Sequence, residues 1–298
     1  MKRDKTAGSM GSSFSANLTR LEAVHLLFGE NLDLLQVAAN EWVETPDEKL
    51  LHEYRIALRR VRVLLRVFVG DIESHGGRPL RLVLSRVADK LGRVRDLDVM
   101  MLLVRKSDFR RNGRNDFEVD LLMKAIKQEQ NSRLLAVQKH MAGASWAKTG
   151  MLTQQFKERL SDKNSPGDSE TIRTFLDHEF NRHRQRIMRA ASNAESDHPE
   201  ILHSFRIILR RLRYLGDFFA GIADAEQRKV FKQVHRIEQE LGKIHDIDLA
   251  LEFLQNHPLK APTRLGQEWR TIRSARIEKF RKKWAKCHRK LGRLKQPD

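Results

Sequence analysis

The sequence predicts an all-α protein made of two four-helix bundles. Three observations predict it. Strand signals are scarce, long segments carry helical periodicity between short Pro, Gly or Ser breaks, and the same pattern is written twice. Leu18 to Trp42 reads as a first helix, stopped before Thr45-Pro46. Asp47 to Val69 is the second, closed by Gly70 and the polar stretch to Pro79. Leu80 to about Val104 is the third, with a bend expected near Gly92, and Asp116 to about Ala142 is the fourth. SDKNSPGDS at 161–169 has the composition of a linker. Four more helices follow near 170–192, 199–219, 224–255 and 265–292.

The duplication is explicit. LHEYRIALRRVRVLLRVF at 51–68 aligns with LHSFRIILRRLRYLGDFF at 202–219, an offset of 151 residues. LGRVRDLDVMMLL at 91–103 aligns with LGKIHDIDLALEF at 241–253, an offset of 150. Two matches in one order and at nearly one spacing mark an internal repeat. Each half then supplies four helices, over 15–160 and 170–292, and a pseudo-twofold axis relating the two bundles is the natural architecture. Residues 1–14 are charged, then small and polar, and are expected to be disordered.

Composition narrows the function. The 298 residues hold 57 Lys+Arg against 39 Asp+Glu, a net charge of +18. Such a field attracts polyanions: nucleic acid, anionic membrane or phosphate polymers. The excess is shared by both halves, so it is no basic tail on a neutral domain. Cys287 is the only cysteine, which excludes an intrachain disulfide and a cysteine-based zinc site. The N-terminal stretch has no apolar signal-peptide core, and no run reaches the roughly 18 to 20 apolar residues of a membrane span. A soluble, cytoplasmic protein is the expectation.

The second helix of each half carries the chemistry. His52, Arg55, Arg59, Arg62 and Arg66 follow spacings of 3, 4, 3 and 4. At about 100° per residue they fall within an arc about 80° wide. Tyr54, Ala57, Leu58, Val61, Leu64, Leu65 and Phe68 take the opposite side as a core face, and Arg60 lies outside the row. At about 1.5 Å per residue the row is about 21 Å long. Like charges at i and i+4 repel, and between His52 and Arg66 this arc of the helix holds no acid to relieve them, Glu48 lying one turn before the row. The arrangement makes sense if a polyanion lies along it. The sister helix repeats it with His203, Arg206, Arg210 and Arg213, and Arg211 matches Arg60, but Asp217 replaces the counterpart of Arg66. The third helices add shorter rows: Arg86, Lys90 and Arg93 in the first half, and Lys229, Lys232, Arg236 and Lys243 in the second, where Glu240 stands in place of Lys90. Planar guanidinium groups donate paired hydrogen bonds to phosphate oxygens, which suits arginine to this task. The competing reading, solvated basic faces, loses ground because the pattern recurs.

His-x-x-Arg, then Arg-Arg-x-Arg, then an Arg-Asp pair after a Gly, present in HEYRIALRRVRVLLRVF and LGRVRDLDV and again in HSFRIILRRLRYLGDFF and LGKIHDIDL, resembles the CHAD family, the conserved histidine α-helical domain. The similarity spans essentially residues 15–292. It implies two four-helix bundles around a central basic groove or pore, which binds inorganic polyphosphate through Lys, Arg and His side chains. Association with polyphosphate granules is implied by the resemblance alone. His245 in place of the Arg of the Arg-Asp pair, Asp217 and Glu240 are departures, and they predict a weaker contribution from the second half.

Other chemistries fit less well. His52 and His203 each lead a row of arginines, whose field opposes a divalent cation, and neither has a second ligand at i+4. No metal or cofactor is expected. His245-Asp246 has the look of a phosphohydrolase pair, but its repeat partner is Arg95-Asp96. Asp96, Asp98, Asp246 and Asp248 are expected to pair with arginines or to cap the chain after Gly92 and Gly242. No phosphate-cradling Gly-rich loop and no nucleophile motif is present, so no catalytic residue is expected. Nucleic acid is the main rival, as a nonspecific partner held by counterion release. Base stacking needs exposed aromatics, whereas Trp42, Tyr54, Trp269 and Phe280 fall on apolar stripes.

Overall fold

The computed structural model describes residues 15–45, 47–107, 117–160, 170–256 and 263–293. The expected disordered segment 1–14 and linker 161–169 lie outside the described residues. Ten α-helices occur among the described residues: α1 (Arg20–Glu44), α2 (Glu48–Val67), α3 (Val69–Ser74), α4 (Arg78–Lys106), α5 (Phe117–Met141), α6 (Ala144–Leu160), α7 (Ile172–Arg189), α8 (Pro199–Phe219), α9 (Ala225–Asn256) and α10 (Thr263–Arg293). A 3-10 turn, Ala191–Glu195, precedes α8. No strand occurs among them, only one isolated bridge between Thr19 and Thr171. The all-helical expectation holds.

Helix starts follow local chemistry. Asp47 caps α2 by accepting from the Leu50 amide at 2.8 Å. Thr19 and Glu22 form a reciprocal capping box ahead of α1: the Thr19 amide donates to Glu22 Oε2 at 2.8 Å, and the Glu22 amide to Thr19 Oγ1 at 3.2 Å. Pro79 and Pro199 stand in the first turns of α4 and α8, where a missing amide proton costs nothing. The short α3 and the 17-residue α6 extend the sequence-based reading, which places no helix over 70–79 or 143–160. Helix α4 runs unbroken through Gly92. A turn lies earlier. Gly76 adopts φ 67°, and a Cβ on Gly77 would come within 2.6 Å of Ile72 and 2.7 Å of Phe156.

The described residues form two compact units that do not coincide with the sequence halves. Unit I comprises Val24–Ser165 with Asp246–Ala275. Unit II comprises Met1–Ala23, Pro166–His245 and Arg276–Asp298. In unit I, Phe28 meets Phe156 edge-on at 5.3 Å, and Trp42 stacks on Tyr54 at 5.9 Å. A further cluster joins Leu97, Met100, Val104, Ile126, Ile247 and Trp269, from α4, α5, α9 and α10. In unit II, Phe205 packs edge-on against Trp284 at 4.9 Å, and Phe180 against Phe231 at 5.7 Å. Trp42, Tyr54, Trp269 and Phe280 are all buried, as their apolar stripes predict. Within the described residues, no helix is long and apolar enough to cross a membrane.

Candidate functional site

In unit I, α2 divides as its periodicity demands. Leu51, Tyr54, Ala57, Leu58, Val61, Leu64 and Leu65 are buried, whereas His52, Arg59 and Arg66 are exposed and Arg55, Arg60 and Arg62 are half-buried. Between His52 and Arg66 the row itself holds no acid, and α4 supplies two. Arg55 Nη1 lies 3.5 Å from Asp98 Oδ2, and Gln130 of α5 donates to the other oxygen of that carboxylate. Arg62 Nη2 lies 3.6 Å from Asp89, which is itself exposed. Burial and the adjacent Arg95 lower the Arg55 guanidinium, against the pull of Asp98 and Asp96. Loss of water and the charge of Asp246 raise the Asp96 carboxyl, against Arg55, Arg95 and Arg133. Farther along, Arg62, Arg66, Arg81 and Ser85 line a hollow of about 260 Å³ floored by Leu65 and Leu82. Arg81 is fixed at its rim by Glu73 at 3.2 Å.

In unit II, the sister row on α8 is organised around one carboxylate. Glu238 of α9 is buried, with its side chain only 10% exposed. Its Oε1 stands 3.2 Å from Arg206 Nε and 3.4 Å from Arg210 Nε, and its Oε2 3.6 Å from Arg213 Nε. Arg213 also donates to Asp217 at 2.9 Å and lies over the Tyr214 ring. Sequence reasoning missed Glu238. The repeat could have flagged it, because the corresponding first-half residue is Ala88. One half thus carries a buried counterion where the other has a methyl group.

The histidines differ in the same way. His203 and His245 pack ring against ring, with centroids 4.3 Å apart. Burial and the charges of Arg206 and Arg210 lower His203, and burial with His203, Arg206 and Arg210 lowers His245 to about 4. Both are therefore neutral imidazoles at pH 7. Their first-half counterparts are exposed His52 and exposed Arg95, a permanent cation.

The shorter rows occupy other faces. Asp89 and the hollow residues Arg81 and Ser85 mark the side of α4 that meets α2. Phe231, Glu238, Gly242 and His245 mark the side of α9 that meets α8. Arg86, Lys90 and Arg93, and likewise Lys232, Arg236 and Lys243, are exposed, most of them roughly 100–150° round their helices, although Arg93 lies within about 40° of Asp89. Lys90 comes near His140 of α5, whose imidazole is lowered by burial and by that charge. Lys229 pairs with Glu226 at 2.7 Å. Arg60 and Arg211 flank their rows, half-buried and exposed respectively. Glu240 is buried against α10. Burial raises its carboxyl, but the 2.7 Å bond from Lys283 and the charges of Lys243 and Lys279 bring it below the usual range.

The Asp motifs pair and do not cap. Asp98 meets Arg55 and Asp248 meets Arg273, and both aspartates lie inside continuous helices. Of the two roles expected, pairing is the one found for Asp98 and Asp248, and no helix ends at Gly92 or Gly242 for a cap to form. Among the described residues, no group of three His, Cys, Asp or Glu is placed to hold a metal ion.

These features define a class: an all-helical protein with two arginine-rich helices, each half-sunk against acids of its neighbour. The chain belongs to the CHAD family, whose domain matches residues 27–255. Among solved structures it resembles the CHAD domain from the plant Ricinus communis, at 19% identity and a TM-score of 0.70, over 96% of each chain. It also resembles PptA from Streptomyces chartreusis, at 13% identity and a TM-score of 0.64, over 90% of this chain and 99% of that one. At such identities the likeness speaks for the fold. No curated protein matches the chain.

Proposed function

We propose that this protein is a non-enzymatic binder of inorganic polyphosphate, held along the His-led arginine row of α2 with a lesser contribution from that of α8. The observation that carries the reading is the α2 row itself. Five basic side chains follow one another on one helix face, and among the described residues α4 sets an acid against Arg55 and against Arg62. A single phosphate gains little from such a row, whereas a polymer gains with each added unit until the row is full. CHAD membership supports the same ligand, because the family resemblance implies it. The protein acts in the cytoplasm, in association with polyphosphate granules, and nucleic acid binds it only through nonspecific counterion release.

The test separates geometry from net charge. In one variant Arg55, Arg59 and Arg62 become Ala. In another, exposed Lys106, Lys124 and Lys148 become Ala, for the same loss of three charges. Charge-assisted hydrogen bonds are worth roughly 1.5–3 kcal/mol each, so even after heavy discounting the first variant loses at least about tenfold in affinity for long polyphosphate. The control loses only a few-fold, mostly at low salt. Equal losses in two folded variants would replace the row with a diffuse basic surface. Displacement of polyphosphate by duplex DNA at equal charge and physiological salt would favour nucleic acid instead.

A further inference from the structure

The hollow between α2 and α4 is lined by residues that the second half does not repeat. Its polar lining is Arg62, Arg66, Arg81 and Ser85. The aligned second-half residues are Arg213, Asp217, Phe231 and His235, so only one of the three arginines is retained, while Leu82 aligns with Lys232. The equivalent space is also filled. Gly216 replaces Leu65, and Phe231 packs so tightly on it that a Cβ there would meet the ring at 2.7 Å. Where the second half is plugged by an aromatic ring, the first half is open and lined by three guanidinium groups. A feature present in one copy of a repeat serves something the shared row does not.

Resting on the polyphosphate reading above, we propose that this hollow is a terminal subsite at the end of the α2 row, sharing Arg62 and Arg66 with it, for a linear di- or triphosphate terminus, with Arg81 and Ser85 as ligand-binding residues of its own. Three observations fit that chemistry. At about 260 Å³ the hollow is small, with room for a few phosphate groups and not for a length of polymer. A terminal phosphate, like a phosphomonoester, carries about −1.5 to −2 at pH 7, more than an internal unit, and three convergent arginines match that excess. Two of the three are already held by acids, Arg62 by Asp89 at 3.6 Å and Arg81 by Glu73 at 3.2 Å, which limits the rotamer freedom lost on binding. The terminus has two sources: the end of a long chain lying on the α2 row, or free short polyphosphate.

The probes are tripolyphosphate, long polyphosphate with free ends, and the same long polymer with both ends amidated. Arg81→Ala weakens tripolyphosphate by about tenfold, the effect of one charge-assisted contact. Lys124→Ala, with the same charge loss, weakens it less than about twofold. Ser85→Ala weakens it modestly, and Arg81→Lys, which keeps the charge but not the planar fork, recovers only part of the loss. If the wild type prefers free-ended over amidated polymer and Arg81→Ala erases that preference, the site takes chain ends. If the preference is absent but the tripolyphosphate loss remains, it takes free short chains. Equal weakening by Arg81→Ala and Lys124→Ala, with Ser85→Ala silent, overturns the site. Failure of the wild type to bind long polymer, with tripolyphosphate binding and its Arg81 dependence intact, overturns the α2-row reading and leaves the hollow standing.

Discussion

At the scale of single residues, the two halves treat the same positions in opposite ways. Glu238 gathers the Nε atoms of three arginines into a buried cluster, while its counterpart Ala88 leaves α2 to weaker partners from α4. A buried carboxylate so surrounded is not displaced by a ligand, because taking it out of its cluster leaves uncompensated charge in a poorly solvated place. The α8 row is therefore largely committed to holding α8 on α9. His245 shows the same commitment in its titration. Its folded value, about 4, lies below the ordinary 6.5 of an unfolded chain. Above pH 6.5 both states are neutral and nothing is gained or lost. As pH falls below 6.5 the unfolded state takes up a proton that the folded state refuses, so stability declines, and the decline levels off near pH 4. The melting temperature of His245→Gln is expected to fall less steeply than that of the wild type between pH 6.5 and 4. Identical slopes would remove His245 from the acid response.

At the scale of elements, close approach decides which helices tolerate change. Gly216 in α8 lies against Phe231 of α9, with no room for a methyl group. Gly216→Ala forces the ring or the helix to move, and overpacking of this kind costs about 1–3 kcal/mol. Gly29 in α1 is also helical, but a Cβ there meets nothing within 4 Å. Gly29→Ala then gains the helix propensity of alanine, up to about 1 kcal/mol. Thermal unfolding of the two variants should shift in opposite directions. A destabilised Gly29→Ala, or a neutral Gly216→Ala, would contradict the packing described for that helix. The long helices were legible because their apolar positions repeat every three to four residues over five turns or more. Helix α6 was not, since its inward apolar residues Trp146, Phe156 and Leu160 are separated by threonines at 149 and 153. Its burial comes from Phe28 of α1, a contact 128 residues away along the chain.

At the scale of the whole molecule, the net charge of +18 sets how binding responds to salt. Log affinity for polyphosphate should fall linearly with log salt concentration, as counterion release requires. Affinity should rise from orthophosphate through tripolyphosphate to longer chains, then level off per site once a chain covers the roughly 21 Å of the α2 row. The salt slope should level off at the same length, because no further cations are met. Isothermal titration with length-defined polymers checks both. A slope that keeps growing with length would point to the whole surface as the binding element. The two compact units also cut across the repeat: residues 246–275 complete the core of unit I through Ile247 and Trp269, far from it in sequence.

The sequence by itself determined the helical class, the repeat, the long helices and the identity of the basic rows. Each is a local property, set by residue type and by spacing along one helix. Only the tertiary structure decided which carboxylate stands against which arginine, since Glu238, Asp98 and Asp89 reach their partners across a helix–helix interface and not along a helix. It also decided that Phe231 closes in the second half the space that Arg81 and Ser85 leave open in the first. Helical periodicity gives each side chain a direction about its own axis, but the neighbour it meets there depends on how two axes pack, and that is settled by the summed burial of many distant apolar contacts.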